Sequence, residues 1–326
     1  MSRLAMLAAL TVAPALAYAT PSGQTMGQLE LGTISQPVVG GGMVPPGKWP
    51  DAVAVLGPSG SCTGTLIAPD VVLTAGHCAN INPDVVVVDT TNYNGSGGKR
   101  IAIESITAYP EFRKTYDVAV IVLKQPVEGI EPRKVARGCT FTGFREETMV
   151  HLVGFGLTQE DGGGSNTSLR EAMAPVLDPT CSGGNGCREG ASPAGEFVAG
   201  GGGADSCFGD SGGPVYLDTE RGAILIASVS RGLDDSPRPC GGGGIYVRTD
   251  KVVRWIEETT ARVIAKDDCT GDGLESGGPD DEGGGDDRSA MFAGGCSATS
   301  NAAWGALFVL LPIALLRRRR RNARRV

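Results

Sequence analysis

Short apolar runs, broken every few residues by Gly, Pro, Asn or Asp, dominate the chain from Pro37 to Lys266. Asp51-Ala-Val-Ala-Val-Leu56, Val85 to Val88, Val118 to Leu123, His151-Leu-Val153 and Ala223 to Val229 are each three to seven residues long. Runs of that length bounded by turn residues suit strands rather than helices, and their regular recurrence predicts an all-β barrel or sandwich. One segment departs from this rhythm. Val252, Val253, Trp255, Ile256, Val263 and Ile264 recur at roughly helical spacing after Asp250, which predicts a closing helix with Asp250 as its N-cap.

The two ends follow other patterns. Arg3, the apolar stretch Leu4 to Leu16 and the small residues Ala15, Ala17 and Ala19 read as a secretory signal over residues 1–19. At the other end, Gly294-Gly295-Cys296 precedes an apolar stretch from Ala302 to Leu316 and then seven arginines. Fifteen apolar residues make a helix of about 22 Å, which reaches a plausible membrane span once Ser297 to Asn301 are included. The arginines would hold that end on the cytoplasmic side. Simple anchoring leaves Cys296 without a role. The Gly-Cys, apolar helix and Arg cluster together resemble a bacterial C-terminal sorting signal of the type processed by a myxosortase. That resemblance implies a sorting peptidase as partner, lipid attachment at Cys296 and display on the outer surface of the cell.

Residues 267–295 carry nine acidic residues and one Arg with no hydrophobic periodicity, so this stretch reads as a solvated spacer. Asp267, Asp268 and Asp272-Gly273 also suggest calcium, although their spacing is not that of an EF-hand loop.

Composition narrows the function classes. The 326 residues carry a net charge of −7, which argues against nucleic-acid binding, and nine cysteines, which point to an oxidising compartment. Two histidines, His77 and His151, nearly exclude a poly-His metal site. If Arg3 and the seven tail arginines are removed in processing, 21 basic residues face 36 acidic ones, a net charge of −15.

Within the β framework lie Thr74-Ala-Gly-His-Cys78, Asp117-Val-Ala-Val120 and Gly209-Asp-Ser-Gly-Gly-Pro214. They supply a base, an orienting carboxylate and a nucleophile in the order His, Asp, Ser. A serine hydroxyl is a poor nucleophile at neutral pH and needs an adjacent base, and imidazole both accepts and returns a proton there. The combination, spaced by 40 and 94 residues, resembles the chymotrypsin/trypsin family of serine endopeptidases over about Val38 to Ala265. The resemblance implies two six-stranded antiparallel barrels with a cleft between them and a C-terminal helix. It implies His77, Asp117 and Ser211 as the catalytic residues, with Gly209 and Ser211 N–H groups facing the oxyanion. It also implies protein or peptide substrates. His151, beside Gly154-Phe-Gly156, reads as structural.

By position in the family, Asp205 forms the base of the primary pocket and would select Lys or Arg. Ser230, Gly232 and Gly244 match substrate-binding positions along the pocket. Arg231 departs from the pattern, standing where Trp is usual, and as a cation beside the substrate it predicts tolerance for acidic residues further from the cut. Val38-Val-Gly-Gly41 resembles the family's new N-terminus, whose amine would pair with Asp210. Pro37 before it is not a trypsin-like cleavage site, so removal of residues 20–37 as propeptide calls for an unidentified activating protease or for trimming by a peptidase.

The resemblance also implies Cys62–Cys78 and Cys207–Cys240 disulfides. Cys181 matches a family position whose usual partner site holds Val198, so Cys187, six residues on, is its expected partner. With Cys296 set aside for lipid, Cys139 and Cys269 pair by elimination. The expected organisation is signal 1–19, propeptide 20–37, protease domain 38–265, spacer 266–295 and sorting tail 296–326. Nothing in the motifs requires a metal or cofactor. A homologue with another specificity, or a catalytically silent one acting as a surface binding module, are the competing readings.

Overall fold

A computed structural model describes residues 38–269. The expected signal, propeptide, Cys296 and membrane tail, and most of the spacer, lie outside the described residues. No helix among the described residues is long and apolar enough to cross a membrane.

Thirteen antiparallel strands run β1 (Gly42–Met43), β2 (Ala52–Gly57), β3 (Gly60–Ala68), β4 (Val71–Thr74), β5 (Val85–Val88), β6 (Lys99–Ala108), β7 (Ala119–Leu123), β8 (Met149–Gly154), β9 (Arg170–Asp178), β10 (Glu196–Ala199), β11 (Pro214–Thr219), β12 (Gly222–Gly232) and β13 (Gly244–Arg248). Strands β2-β3-β4-β7-β6-β5 close one six-stranded barrel. A second ring follows the order β8-β9-β10-β13-β12-β11 and closes where β8 pairs with both β9 and β11, while β1 adds to the edge of β9. The fold is the pair of barrels that the family resemblance implies.

Continuous apolar runs, rather than strict alternation, have a simple cause. Successive side chains on a strand point to opposite faces, and here both faces are covered. On β2, Val53 and Val55 fill the first barrel, while Ala52 and Ala54 join the layer containing Val153, Phe155, Tyr216 and Leu225 of the second. On β12, Ile224 and Ile226 fill the second barrel and Leu225 faces that shared layer. The barrels thus meet through a common apolar sheet of side chains, which fixes the loops that project from its edge.

The closing helix α1 is shorter than its pattern predicts, Val253–Thr260, and burying Ile256 seats it on the shared layer beside Val252. Asp250 does not cap it. Both oxygens of that carboxylate accept from Arg248, at 3.0 and 2.9 Å, and Asp250 lies in the preceding 3-10 turn. Ala261 adopts a left-handed conformation and stops the helix, so Val263 and Ile264 lie beyond it.

Packing continues past the expected boundary at residue 265. Lys266 bridges to Val135, and the buried Asp267 accepts from Arg221 Nε at 2.8 Å and from Thr140 Oγ1 at 2.9 Å. The first residues of the acidic stretch are therefore folded, and the Asp267 carboxylate serves a guanidinium instead of a cation site. The structure contains four disulfides, Cys62–Cys78, Cys139–Cys269, Cys181–Cys187 and Cys207–Cys240. His151 packs edge-on against Trp49 and meets Asp218 at 2.9 Å.

Candidate active site

His77 stands in a 3-10 turn, Gly76–Ile81, that follows β4 of the first barrel. Asp117 immediately precedes Val118 and β7. Because β4 and β7 pair directly, the chain ends that carry His77 and Asp117 converge. The Asp117 carboxylate grips its partner twice: His77 N–H donates to Oδ1 at 2.9 Å, and His77 Nδ1 lies 2.9 Å from Oδ2. That pairing fixes both ring orientation and tautomer, leaving Nε2 as the free acceptor of a neutral imidazole.

Asp117 is only 1% exposed, and burial alone would raise its pKa. Hydrogen bonds from His77 and Ser230, with the nearby charges of His77 and Arg188, outweigh burial and hold it below the ordinary carboxylate range. The Ser230 hydroxyl donates to Oδ2 at 2.7 Å. Ser230 is the extra residue of a β-bulge, since Val229 pairs with Tyr246 and Arg231 with the adjacent Ile245. The bulge turns the Ser230 side chain toward the first barrel.

Ser211 sits in the turn that leads into β11, and this turn is locked onto the base of the His77 element. Thr63 N–H donates to the Ser211 carbonyl at 2.9 Å, and Cys78 Sγ lies 3.6 Å from the same oxygen. Gly212 has φ +82°, and a Cβ there would strike Thr74 Oγ1 at 2.1 Å and Thr63 O at 2.5 Å. Only glycine permits this approach, which brings the Ser211 turn against the strand end that carries His77. Gly209 also has a positive φ, +98°. Among the described residues, the Gly209 and Ser211 N–H groups have no acceptor, whereas Asp210 N–H donates to Cys207 O.

Asp210 is fully buried in a cradle made by Gly154 and Gly156, where a Cβ at Gly156 would fall 2.3 Å from its carboxyl carbon. It accepts from Gly156 N–H at 2.7 Å and Cys207 N–H at 2.9 Å. Burial raises its pKa to about 7 against those two hydrogen bonds, and Asp205 adds to the rise. Val38 is buried in the second-barrel core, and Val39 O accepts from Asp205 N–H at 2.9 Å. A Cβ on Gly40 would overlap Gly203 O, so the Val38–Gly41 segment lies directly on the Gly203–Asp205 turn.

Asp205 itself is 2% exposed, which removes the reading of a solvent-facing turn residue. Its carboxylate accepts from Ser206, Gly241 and Gly243 N–H groups at 2.8, 2.8 and 3.0 Å. Burial nevertheless raises its pKa to about 6. Gly232 and Gly244 are directly paired across β12 and β13. A Cβ at Gly244 would meet Tyr246 OH at 2.8 Å and Ser206 Oγ at 3.0 Å, next to Asp205; at Gly232 the space is open, with only Pro239 O at 3.8 Å. On the other side of Gly209, Phe208 stands 59% exposed and lines an open cavity of about 470 Å³ with Leu56, Tyr93, Leu157 and Asn166.

One sequence expectation is corrected. Arg231 is not a free cation facing the cleft: its guanidinium makes paired hydrogen bonds of 2.8 and 2.9 Å to Glu196, a carboxylate with no exposed surface, and donates to Gly186 O and Ser230 Oγ. Its charge is spent on Glu196, so the ground for expecting acidic residues beyond the cut is gone. Sequence reasoning missed Glu196 and Arg188. Glu196 opens a strand whose four residues are all buried, and a carboxylate there demands a cation; the anomalous Arg231 was the available signal. Arg188, in a Gly-rich loop, gave none. Cys62, His77 and Cys78 offer donor atoms within 4.8 Å, but both sulfurs are held in one disulfide, which leaves no thiolate for a metal.

The Trypsin family profile matches residues 38–256. Among curated relatives, coagulation factor XII of Sus scrofa is 30% identical over 68% of this chain and 39% of its own length. Serine protease 56 of Homo sapiens is 32% identical over 68% of this chain and 38% of its own. Trypsin of Saccharopolyspora erythraea is 34% identical over 61% of this chain and 87% of its own. The chain thus spans well under half the length of the first two.

Proposed function

Since the chain belongs to the trypsin family, we propose that it is a secreted serine endopeptidase that cuts after Arg or Lys. The observation that carries this reading is the His77–Asp117 pair, held at 2.9 Å beside the turn that presents Ser211. Ser211 Oγ attacks the scissile carbonyl while His77 takes its proton; the oxyanion that forms is met by the Gly209 and Ser211 N–H groups. As the intermediate collapses, His77 returns the proton to the leaving amine and the acyl-enzyme remains. Water then attacks the ester, again with His77 as base, and Ser211 is restored. Asp117 keeps Nδ1 protonated and stabilises the imidazolium in each step.

Asp205 supports the specificity. A substrate Arg or Lys brings a cation to a buried carboxylate, and such a charge-assisted contact contributes about 1.5–3 kcal/mol. Val38 supports activation by processing, because a free amine at that buried position would give Asp210 a cation. The N-terminal signal pattern, the four disulfides and the Cys296 tail support secretion and lipid-mediated display on the cell surface.

The test is a panel of peptide substrates ending in Arg, Lys, Phe or Ala, offered to the chain processed to Val38. Arg and Lys substrates should be turned over at least about a hundredfold faster, and Asp205→Ser should remove about that factor for those two alone. Equal turnover of all four, or Arg cleavage untouched by Asp205→Ser, contradicts the reading.

A further inference from the structure

Asp117 belongs to a closed ring of polar groups behind His77. Its Oδ2 accepts from Ser230, whose Oγ accepts from Arg231 Nη1 at 2.9 Å. Arg231 is paired through two hydrogen bonds with Glu196, and Glu196 Oε2 accepts from the Arg188 backbone N–H at 3.0 Å. The Arg188 guanidinium then returns to Asp117 Oδ2 at 3.6 Å. The ring holds two cations and two anions, and both carboxylates are buried.

Arg188 is fixed as well as close. Its Nη1 donates to the carbonyls of Phe112 and Thr115, in the loop that leads directly into Asp117. The two arginines are therefore not equivalent: Arg231 is committed to Glu196, and Arg188 is the cation that reaches the carboxylate paired with His77. The charged and titratable groups around the pair are His77 itself, Arg188 from the Cys181–Cys187 side, Glu196 of β10, and Arg231 of β12. Tyr116 adjoins Asp117 in sequence, and Tyr109, Asp250 and Arg248 lie around Tyr116. At the effective dielectric of a protein interior, a guanidinium on the carboxylate oxygen that also holds the imidazole opposes placing a second positive charge on that ring.

We propose that Arg188 is a positioning residue for this active site: its guanidinium anchors the loop before Asp117 and biases His77 toward the neutral form that can accept the Ser211 proton. This rests on the protease reading for its consequence, an activity that persists to lower pH. The charge effect itself requires no hydrolysis.

That independence shapes the experiment. The chain has two histidines, so NMR titration of the full chain carrying Ser211→Ala resolves His77 and uses His151 as an internal reference. Arg188→Gln, and Arg188→Met as a second variant that keeps the packed stem, should raise the His77 midpoint by about half a pH unit or more. His151 should stay in place, and Arg188→Lys, which keeps the cation, should leave the His77 midpoint close to that of the chain with Arg188. With Ser211 intact, the acid limb of kcat/KM should move upward by the same amount. An unmoved His77 midpoint overturns the inference, as does an equal shift in the Lys variant or a joint shift of both histidines. Absence of hydrolysis by the unmodified chain would instead defeat the protease reading, and the titration would still decide the role of Arg188.

Discussion

Asp205 and Asp210 are five residues apart and both buried, yet among the described residues neither has a cation beside it; backbone N–H groups are their main donors. Burial raises the first to about 6 and the second to about 7. The sign follows from proton counting. Between pH 4 and 7 the folded chain holds protons that the unfolded chain has released, so stability falls as pH rises through that window. In the proposed activation, the freed Val38 amine is already a cation at pH 5, and it gains a buried anion to pair with only where Asp210 is ionised. The unprocessed chain should therefore lose thermal stability between pH 5 and 8, and processing to Val38 should raise Tm by roughly 5 °C at pH 8 and little at pH 5. Thermal melts of the two forms at both pH values check this; an equal gain at each pH would contradict the role given to Asp210.

At the level of strands, β12 and β13 would supply the wall of the proposed pocket through one pair of glycines, Gly232 and Gly244, with different constraints. Gly244 is crowded, but Gly232 faces open space, so Gly232→Val should fold normally and narrow the pocket by its side chain alone. Turnover of Arg substrates should then fall about a hundredfold while Ala substrates and Tm stay nearly unchanged, as parallel kinetics and melts will show. A comparable loss on both substrates would mean that Gly232 does not line the pocket. Much at this scale was legible in the sequence. The runs Val85–Val88 and Val118–Leu123 became β5 and β7 with at most one residue trimmed, because short β-branched segments between turn residues leave few other options. Asp250 misled because an Asp before an apolar run is a capping signal, and nothing local announces that Arg248 will claim both oxygens. Arg231 misled for a related reason: its partner Glu196 lies 35 residues away, and only the pairing of β10 and β12 on either side of β13 brings the two together. His77, Asp117 and Ser211 could be named because their motifs are local, while Arg188 could not, because its contact with Asp117 spans separate loops.

Across the whole molecule, two barrels meet on one apolar layer, and the candidate site draws residues from both: His77 and the strand pair beside Asp117 from the first, Ser211, Ser230 and Asp205 from the second. The described residues end in a fastened segment, with Asp267 bonded to Arg221 and Cys269 bridged to Cys139. The net charge of −7 conceals how the charges divide, since seven arginines are gathered in the last ten residues. In the proposed mature form the excess is acidic, which would draw basic protein substrates at low salt. The protease reading depends on Ser211 being a nucleophile activated by His77. The most direct measurement is covalent labelling of the chain processed to Val38 with a serine-directed phosphonate, followed by peptide mapping. The account predicts a single adduct on Ser211 and at least about a hundredfold slower labelling in His77→Ala. An unlabelled Ser211, or labelling at the same rate without His77, would contradict it.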